Sequence, residues 1–417
     1  VTATMGGQTQ TSPALNFTVD STTAVVKTLN VDKSQATANN NDRITLTAEV
    51  VDANDHPVPA STLQWSIVQG QGTLSASQNA TNESGMGSVT LTATQQGTVI
   101  VSVNTATGTA VNSPELVFVA DTATGKVSQV TTDKTLAMAD GKDKVTYTAT
   151  VTDANGNPLQ GMDVNWSVTP SSAKLSLATS QTGADGTASV SVTTLKAGDV
   201  SLTAQAGTGA AWNAPVVTFT ADSTTAQIGE LSASKATALA NGVDSITFTG
   251  VVTDKNGNPV SGETAAWSVV PATGVLSSTT SESDAQGNVS VTLKSDQVAD
   301  YRVKAIVNGH EETSDSVSFT TDSSTTAIRT LVADKTSDIS AGSEQVTLTA
   351  TVMDDYNHPV ANAPVVWSGD NASGVFSETS TTTDSEGKTS VTYSSTLATS
   401  TLVMAKSSNN SEKTVQL

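Results

Sequence analysis

Asp222, Asp254, Asn256 and Asp284 are oxygen donors that the strand order read below brings toward one end of a repeat. Hard oxygen ligands of this kind are what Ca²⁺ takes, and a bound ion there would lock a joint between neighbouring repeats. The same groups also bond turn backbone amides with no metal at all. Both readings stay open, and turn bonding is the plainer one. The second repeat is mixed: Asp121 and Asp153 recur, but Gly183 stands where Asp284 does, and Asp185 lies two places on. The three histidines form no site. His56 and His358 hold the turn position of Asn157 and Asn258 and read as interchangeable turn residues; His310 lies in VNGHEE and reads as a solvated loop. A repeated Ser-His-Asp centre would need a histidine in every repeat, and none recurs four times. With no cysteine, disulfide and thiol chemistry are closed. No catalytic, cofactor-binding or metal residue is assigned, and the chain reads as not an enzyme.

These residues sit on a turn that organises the chain. In VTDANGNPLQGMDVNW (151–166), Asp153 opens the turn, Asn155-Gly156-Asn157 tighten it, Pro158 closes it, and Val164 and Trp166 follow on a new strand. Asp and Asn bond their own backbone, Gly supplies positive φ and Pro fixes φ. The turn occurs four times. Its aspartates are Asp52, Asp153, Asp254 and Asp354, its tryptophans Trp65, Trp166, Trp267 and Trp367, each set stepping by 101, 101 and 100 residues. Phe17, Phe118, Phe219 and Phe319, the junction aspartates Asp20, Asp121, Asp222 and Asp322, then Lys33, Lys134, Lys235 and Lys335, keep the same step. Boundaries just after the junction aspartates give units 21–121, 122–222, 223–322 and 323–417. Residues 1–20 match the end of a unit, so they read as the last strand or strands of a preceding one, and the chain as a piece of something longer.

Within a unit the pattern has period two. Val145, Tyr147, Ala149 and Val151 alternate with Thr146, Thr148 and Thr150, as in an antiparallel strand with one wet face. About seven such strands fill each unit, and no segment keeps a helical period. The expected fold is all-β: tandem immunoglobulin-like β-sandwich domains. The junction FTADSTTAQIGEL (219–231) is short and lacks the Gly/Ser richness of a flexible linker. The units are therefore expected to stack end to end as an extended, monomeric rod, very roughly 40 Å per unit. A net charge of -20 argues against nucleic acid or an anionic membrane as direct partner. No apolar run approaches membrane-spanning length. Aromatics are only 4% of the chain, so each core leans on few large side chains. Trp212 is the one Trp outside the period; in the loop AGTGAAWNAP it reads as cover for a junction or as a contact point.

VTDANGNPL, Val164/Trp166, TGADGTASVSV (182–192) and VTFTAD (217–222) together resemble the bacterial group 1 immunoglobulin-like domain. That domain builds the stalks of intimin- and invasin-type adhesins, the inverse autotransporters, and the resemblance covers essentially the whole chain. It implies a bacterial cell-surface location, export and anchoring through an outer-membrane barrel not present in this chain, and a role in attachment to host cells or surfaces. The family's lectin-like tip carries a disulfide, which this chain has no cysteine to make, so no receptor-binding residue is transferred. The partner implied is a host-cell receptor or glycan. If Leu417 is the natural terminus, 323–417 is the tip, and direct receptor or glycan binding by that unit is the first alternative. An accessory region of a secreted polysaccharide-acting enzyme is the second; the periodic tryptophans read as core, which speaks against it.

Overall fold

A computed structural model describes all residues, Val1–Leu417. They group into two compact units, Val1–Thr220 and Ala221–Leu417, and each contains two β-sandwiches. The second sandwich shows the pattern. Its strands are β1 (Lys126–Thr132), β2 (Leu136–Met138), β3 (Val145–Thr152), β4 (Asp163–Thr169), β5 (Lys174–Leu175), β6 (Thr179–Gln181), β7 (Thr187–Thr193), β8 (Gly198–Ala206), β9 (Trp212–Asn213) and β10 (Val217–Thr220). One sheet has the order β1-β3-β7-β5. The other has β2-β10-β8-β4-β6, with β9 on β8. All pairs are antiparallel except β2 with β10. The first and third sandwiches repeat this order, although the third splits its opening strand into Gln227–Ile228 and Ser232–Ala233.

The alternation on β3 does what period two requires. Val145, Tyr147, Ala149 and Val151 are buried between the sheets, and the intervening threonines face outward. Trp65, Trp166, Trp267 and Trp367 are all buried. Each indole N–H reaches a side-chain oxygen across the sheet, on Asn79, Ser180, Ser281 and Thr381, at 2.8 to 2.9 Å. A buried Trp needs such a partner for its one polar atom. Phe118, Phe219 and Phe319 close the cores beside them. Leu15 and Phe17, the counterparts of Leu116 and Phe118, are exposed beyond the hairpin Thr2–Met5/Gln8–Thr11. The fourth sandwich has no counterpart of β2 and β10. Its last strand, Glu412–Gln416, runs along Leu402–Lys406.

More strands form than the seven expected. The extra ones, such as β2, β5, β6 and β9, are two or three residues long, too short to show a period. Trp212 is among them: it lies on β9 beside Ala204, half exposed, rather than in a loop.

One core group stands out. The Tyr147 hydroxyl is buried with no hydrogen-bond partner, and burial, aided by the Asp133 carboxylate, pushes it up to about 12. The third sandwich places Phe248 at the same position. A buried hydroxyl with no partner carries a desolvation cost of about 1–3 kcal/mol. Tyr147→Phe is therefore expected to raise stability by about 1 kcal/mol, read as a higher urea midpoint with an unchanged slope. A lower midpoint would mean that the hydroxyl is engaged.

Candidate functional site: the turn knot and the joint

The register brings the end of β3, the start of β4, the start of β7 and the end of β8 to one end of the sandwich, where β1 also enters. The loops expected to share an end therefore do so. Asp153 organises that end. Its Oδ1 accepts the N–H groups of Asn155 and Asn157, both at 2.9 Å. Its Oδ2 accepts Asn157 Nδ2 at 2.8 Å and the N–H of the junction residue Asp121 at 3.1 Å. Gly156, at φ 84°, lets the chain turn back. Asp121 in turn caps the short 3₁₀ turn Thr122–Thr124 by accepting Ala123 N–H, and Thr124 Oγ1 accepts Ala154 N–H. Linker and turn are thus tied to each other twice.

The knot recurs in every repeat. Asp20 N–H donates to Asp52, Asp222 to Asp254 and Asp322 to Asp354, at 3.0 to 3.2 Å. The aspartates at its centre are buried. Burial pushes Asp153 up, but the bonds it accepts, the Asn157 amide first, outweigh burial and hold the carboxyl below its ordinary value. Asp254 is held down in the same way by Asn258. At Asp354 the His358 and Asp322 N–H groups do so. At Asp52 the His56 N–H is the largest influence.

The proposed calcium constellation resolves into such caps. Asp222 and Asp254 do meet, but through the Asp222 N–H; the Asp222 carboxylate holds Thr224 instead. Asn256 donates its N–H to Asp254 Oδ1. Asp284 caps its own turn, accepting from Gln286, Asn288 and the Asn288 amide. No three His, Asp or Glu side chains converge as a metal site. The melting temperature is expected to be unchanged by millimolar Ca²⁺ or by chelator. A rise with Ca²⁺ would restore the ion reading.

The turn also reaches across to the neighbouring sandwich. In the first pair, Asn157 Nδ2 donates to Thr94 O at 2.8 Å, and Asn157 Oδ1 accepts Gln96 N–H at 2.9 Å. Asn155 Nδ2 donates to Ala38 O at 2.9 Å. Both loops lie at the far end of the first sandwich. In the second pair, His358 takes the place of Asn157, with Nε2 at 2.7 Å from Asp296 O. His358 is therefore a docking residue and not merely an interchangeable turn residue. His56 has only the contact to Asp52, at 3.4 Å, and stays exposed. His310 begins the exposed return strand of its hairpin, His310–Thr313.

The spacing Asp-x-x-x-Asn/His could have flagged the docking position, since both side chains offer N–H groups at similar reach. Lys134 is one of the residues that keep the repeat step. It pairs with Asp143, which also accepts Met138 N–H and so pins the loop after β2. Lys33–Asp42, Lys235–Asp244 and Lys335–Glu344 repeat the brace.

Four sandwiches of one plan, each knotted at its entry, follow one another along the chain. The model of the bacterial Ig-like domain (group 1) matches residues 26–119, 127–220, 228–320 and 328–417.

The chain belongs to the bacterial group 1 Ig-like domain family.

Among named proteins, it is similar to the inverse autotransporter adhesin YeeJ of Escherichia coli K12, with 29% identity over 347 residues, 82% of this chain and 15% of that one. Intimin of Escherichia coli O127:H6 is 39% identical over 170 residues, 40% of this chain and 18% of that one. The chain thus spans less than a fifth of the length of these curated relatives. Of solved structures, invasin, described as an integrin-binding protein, is 18% identical, covering 94% of this chain and 78% of its own, with a TM-score of 0.45. The adhesin FdeC of Escherichia coli is 23% identical over 72% of this chain and 99% of its own, also with a TM-score of 0.45.

Proposed function

We propose that this Ig-like array is part of the surface-exposed stalk of a bacterial outer-membrane adhesin and works as a spacer that carries a binding end away from the cell. The observation that carries the reading is the knot. In each repeat one buried aspartate fixes both the entering linker and the turn, and in two joints that turn is seated on the sandwich before it. Such a joint resists bending, which is what a spacer needs. The intimin and YeeJ relatives supply the adhesin context. The unit limits 21–121, 122–222, 223–322 and 323–417, their end-to-end stacking, anchoring through a barrel elsewhere in the parent protein, the absence of catalysis and a host receptor or glycan as eventual partner all belong to this proposal.

A second reading, direct contact by 323–417, has one feature in its favour. A cavity of about 290 Å³ opens among Ile339, Val346, Tyr393, Leu397 and Leu417, and the buried Tyr393 hydroxyl there has no partner. One experiment separates the readings. The purified chain is titrated onto cultured host cells, while the parent adhesin is displayed with this segment deleted. The spacer reading expects no saturable binding by the chain and weaker attachment by the shortened parent. Saturable binding that is lost when 323–417 is blocked would overturn it in favour of direct contact.

A further inference from the structure

Two joints, one inside each compact unit, use different chemistry at one position. In the first, the Asn157 amide nitrogen carries two protons. One goes to Asp153 Oδ2 and the other to Thr94 O, both at 2.8 Å. In the second, His358 faces the same pair of partners: its Nδ1 lies 3.1 Å from Asp354 Oδ2 and its Nε2 2.7 Å from Asp296 O. Asp296 is the residue two repeats on from Thr94. A carboxylate and a carbonyl only accept. A neutral imidazole has one N–H and one lone pair, so it can satisfy one of them and must turn its lone pair toward the other. The imidazolium has two N–H groups and satisfies both.

We propose that His358 makes the joint between the third and fourth sandwiches proton-dependent: the imidazolium clamps it, and loss of the proton releases one side. The ring is enclosed enough for this to matter, with its side chain 14% exposed against 65% for His56, which lacks a second partner. The groups facing it are fixed. Asp354 also accepts the Asp322 and Tyr356 N–H groups. Arg329 donates to Asp354 O and pairs with Asp355. Tyr356 stacks on the imidazole with centroids 6.5 Å apart, and the Asp296 carboxylate accepts from Gln297 Nε2. The one buried carboxylate in contact with the ring is therefore Asp354; a charged acceptor outcompetes a carbonyl, so a ring with one N–H keeps it on Asp354 and lets go of Asp296 O. The sign follows from the proton count: the clamp is complete only while both ring nitrogens carry protons, so it should be tighter at acidic than at alkaline pH. This goes beyond the spacer role, because it makes one named joint, and not the other, respond to pH.

The chain has no cysteine, so a pair of spin labels can be placed without background. Val275→Cys and Val375→Cys put labels on exposed sites of the third and fourth sandwiches. Their distance distribution is measured on the full chain at about pH 5.5 and about pH 8. A single narrow peak is expected at the lower pH, and its loss into a broad distribution at the higher. His358→Asn restores a two-proton amide and should stay narrow at both. His358→Ala should be broad at both. Labels at Thr73→Cys and Lys174→Cys, across the Asn157 joint, should show no pH effect. The proposal is overturned if the wild-type distribution is the same at both pH values, if His358→Asn broadens as wild type does, or if the Asn157 joint broadens equally.

Discussion

Replacing Trp166 with alanine is expected to unfold the second sandwich alone. The indole lies between the sheets at 5% exposure and is the largest side chain in a core otherwise made mostly of Val, Ala and Leu. Large-to-small truncation of a buried aromatic costs about 3–5 kcal/mol, against a whole-domain stability of about 5–15 kcal/mol. The Ser180 hydroxyl also loses its donor. For a domain of this size the melting transition should fall by about 15–30 °C. The first sandwich has its own buried cluster around Trp65 and is tied to the second by loop hydrogen bonds, so its transition should move little. Calorimetry distinguishes the outcomes, because one transition should separate from the rest. If all four sandwiches melt together at a lower temperature, the cores are not independent. Trp166→Phe is the control: it keeps most of the apolar area and loses the N–H, and it should cost about 1 kcal/mol.

The sandwich was legible wherever long strands carry it. Val145, Tyr147, Ala149 and Val151 announce a face because four alternate residues leave no other period. Trp166 and Phe219 recur at fixed steps because each fills a place between the sheets. The parallel pairing of β2 with β10 was hidden, since Leu136–Met138 is three residues long and two of them are exposed. The third sandwich hides another detail. Gly250 stands where the others have Ala, and an added Cβ would meet the Leu231 and Ile228 side chains at 2.8 and 2.9 Å. That glycine makes room for Leu231, a compensation between residues far apart in sequence. The joint was half legible. Asp153 declared itself as a turn residue, but its bond to the Asp121 N–H spans a sequence separation of 32 residues, and nothing local marks it. The docking role of Asn157 and His358 depends on carbonyls of another sandwich, Thr94 and Asp296, and a carbonyl has no side-chain signature to read.

Asp153→Ala should loosen both the second sandwich and its joint to the first. The carboxylate accepts four hydrogen bonds from Asn155, Asn157 twice and Asp121. Removing it leaves those donors facing one another around a small void, with the buried Asn157 among them. Each bond to a charged acceptor is worth about 1.5–3 kcal/mol, but the bonds share one desolvation cost, so the net loss should be about 3–5 kcal/mol. The effect must also depend on pH. Because the hydrogen bonds hold the folded carboxyl below its ordinary value despite burial, its contribution is fully present above the unfolded value, about 3.9. It is lost as pH falls through the lower folded value. Denaturant melts of wild type and Asp153→Ala should therefore lie far apart near pH 7 and draw together in strong acid. The joint supplies a second readout. Asn157 needs Asp153 to hold its amide in place, so the variant should also lose the bonds to Thr94 and Gln96, and exchange of the Gln96 amide proton should quicken even where the second sandwich remains folded. A separation between the two melts that is the same at every pH would show that Asp153 acts through its volume, and would remove the carboxylate from the account of the knot.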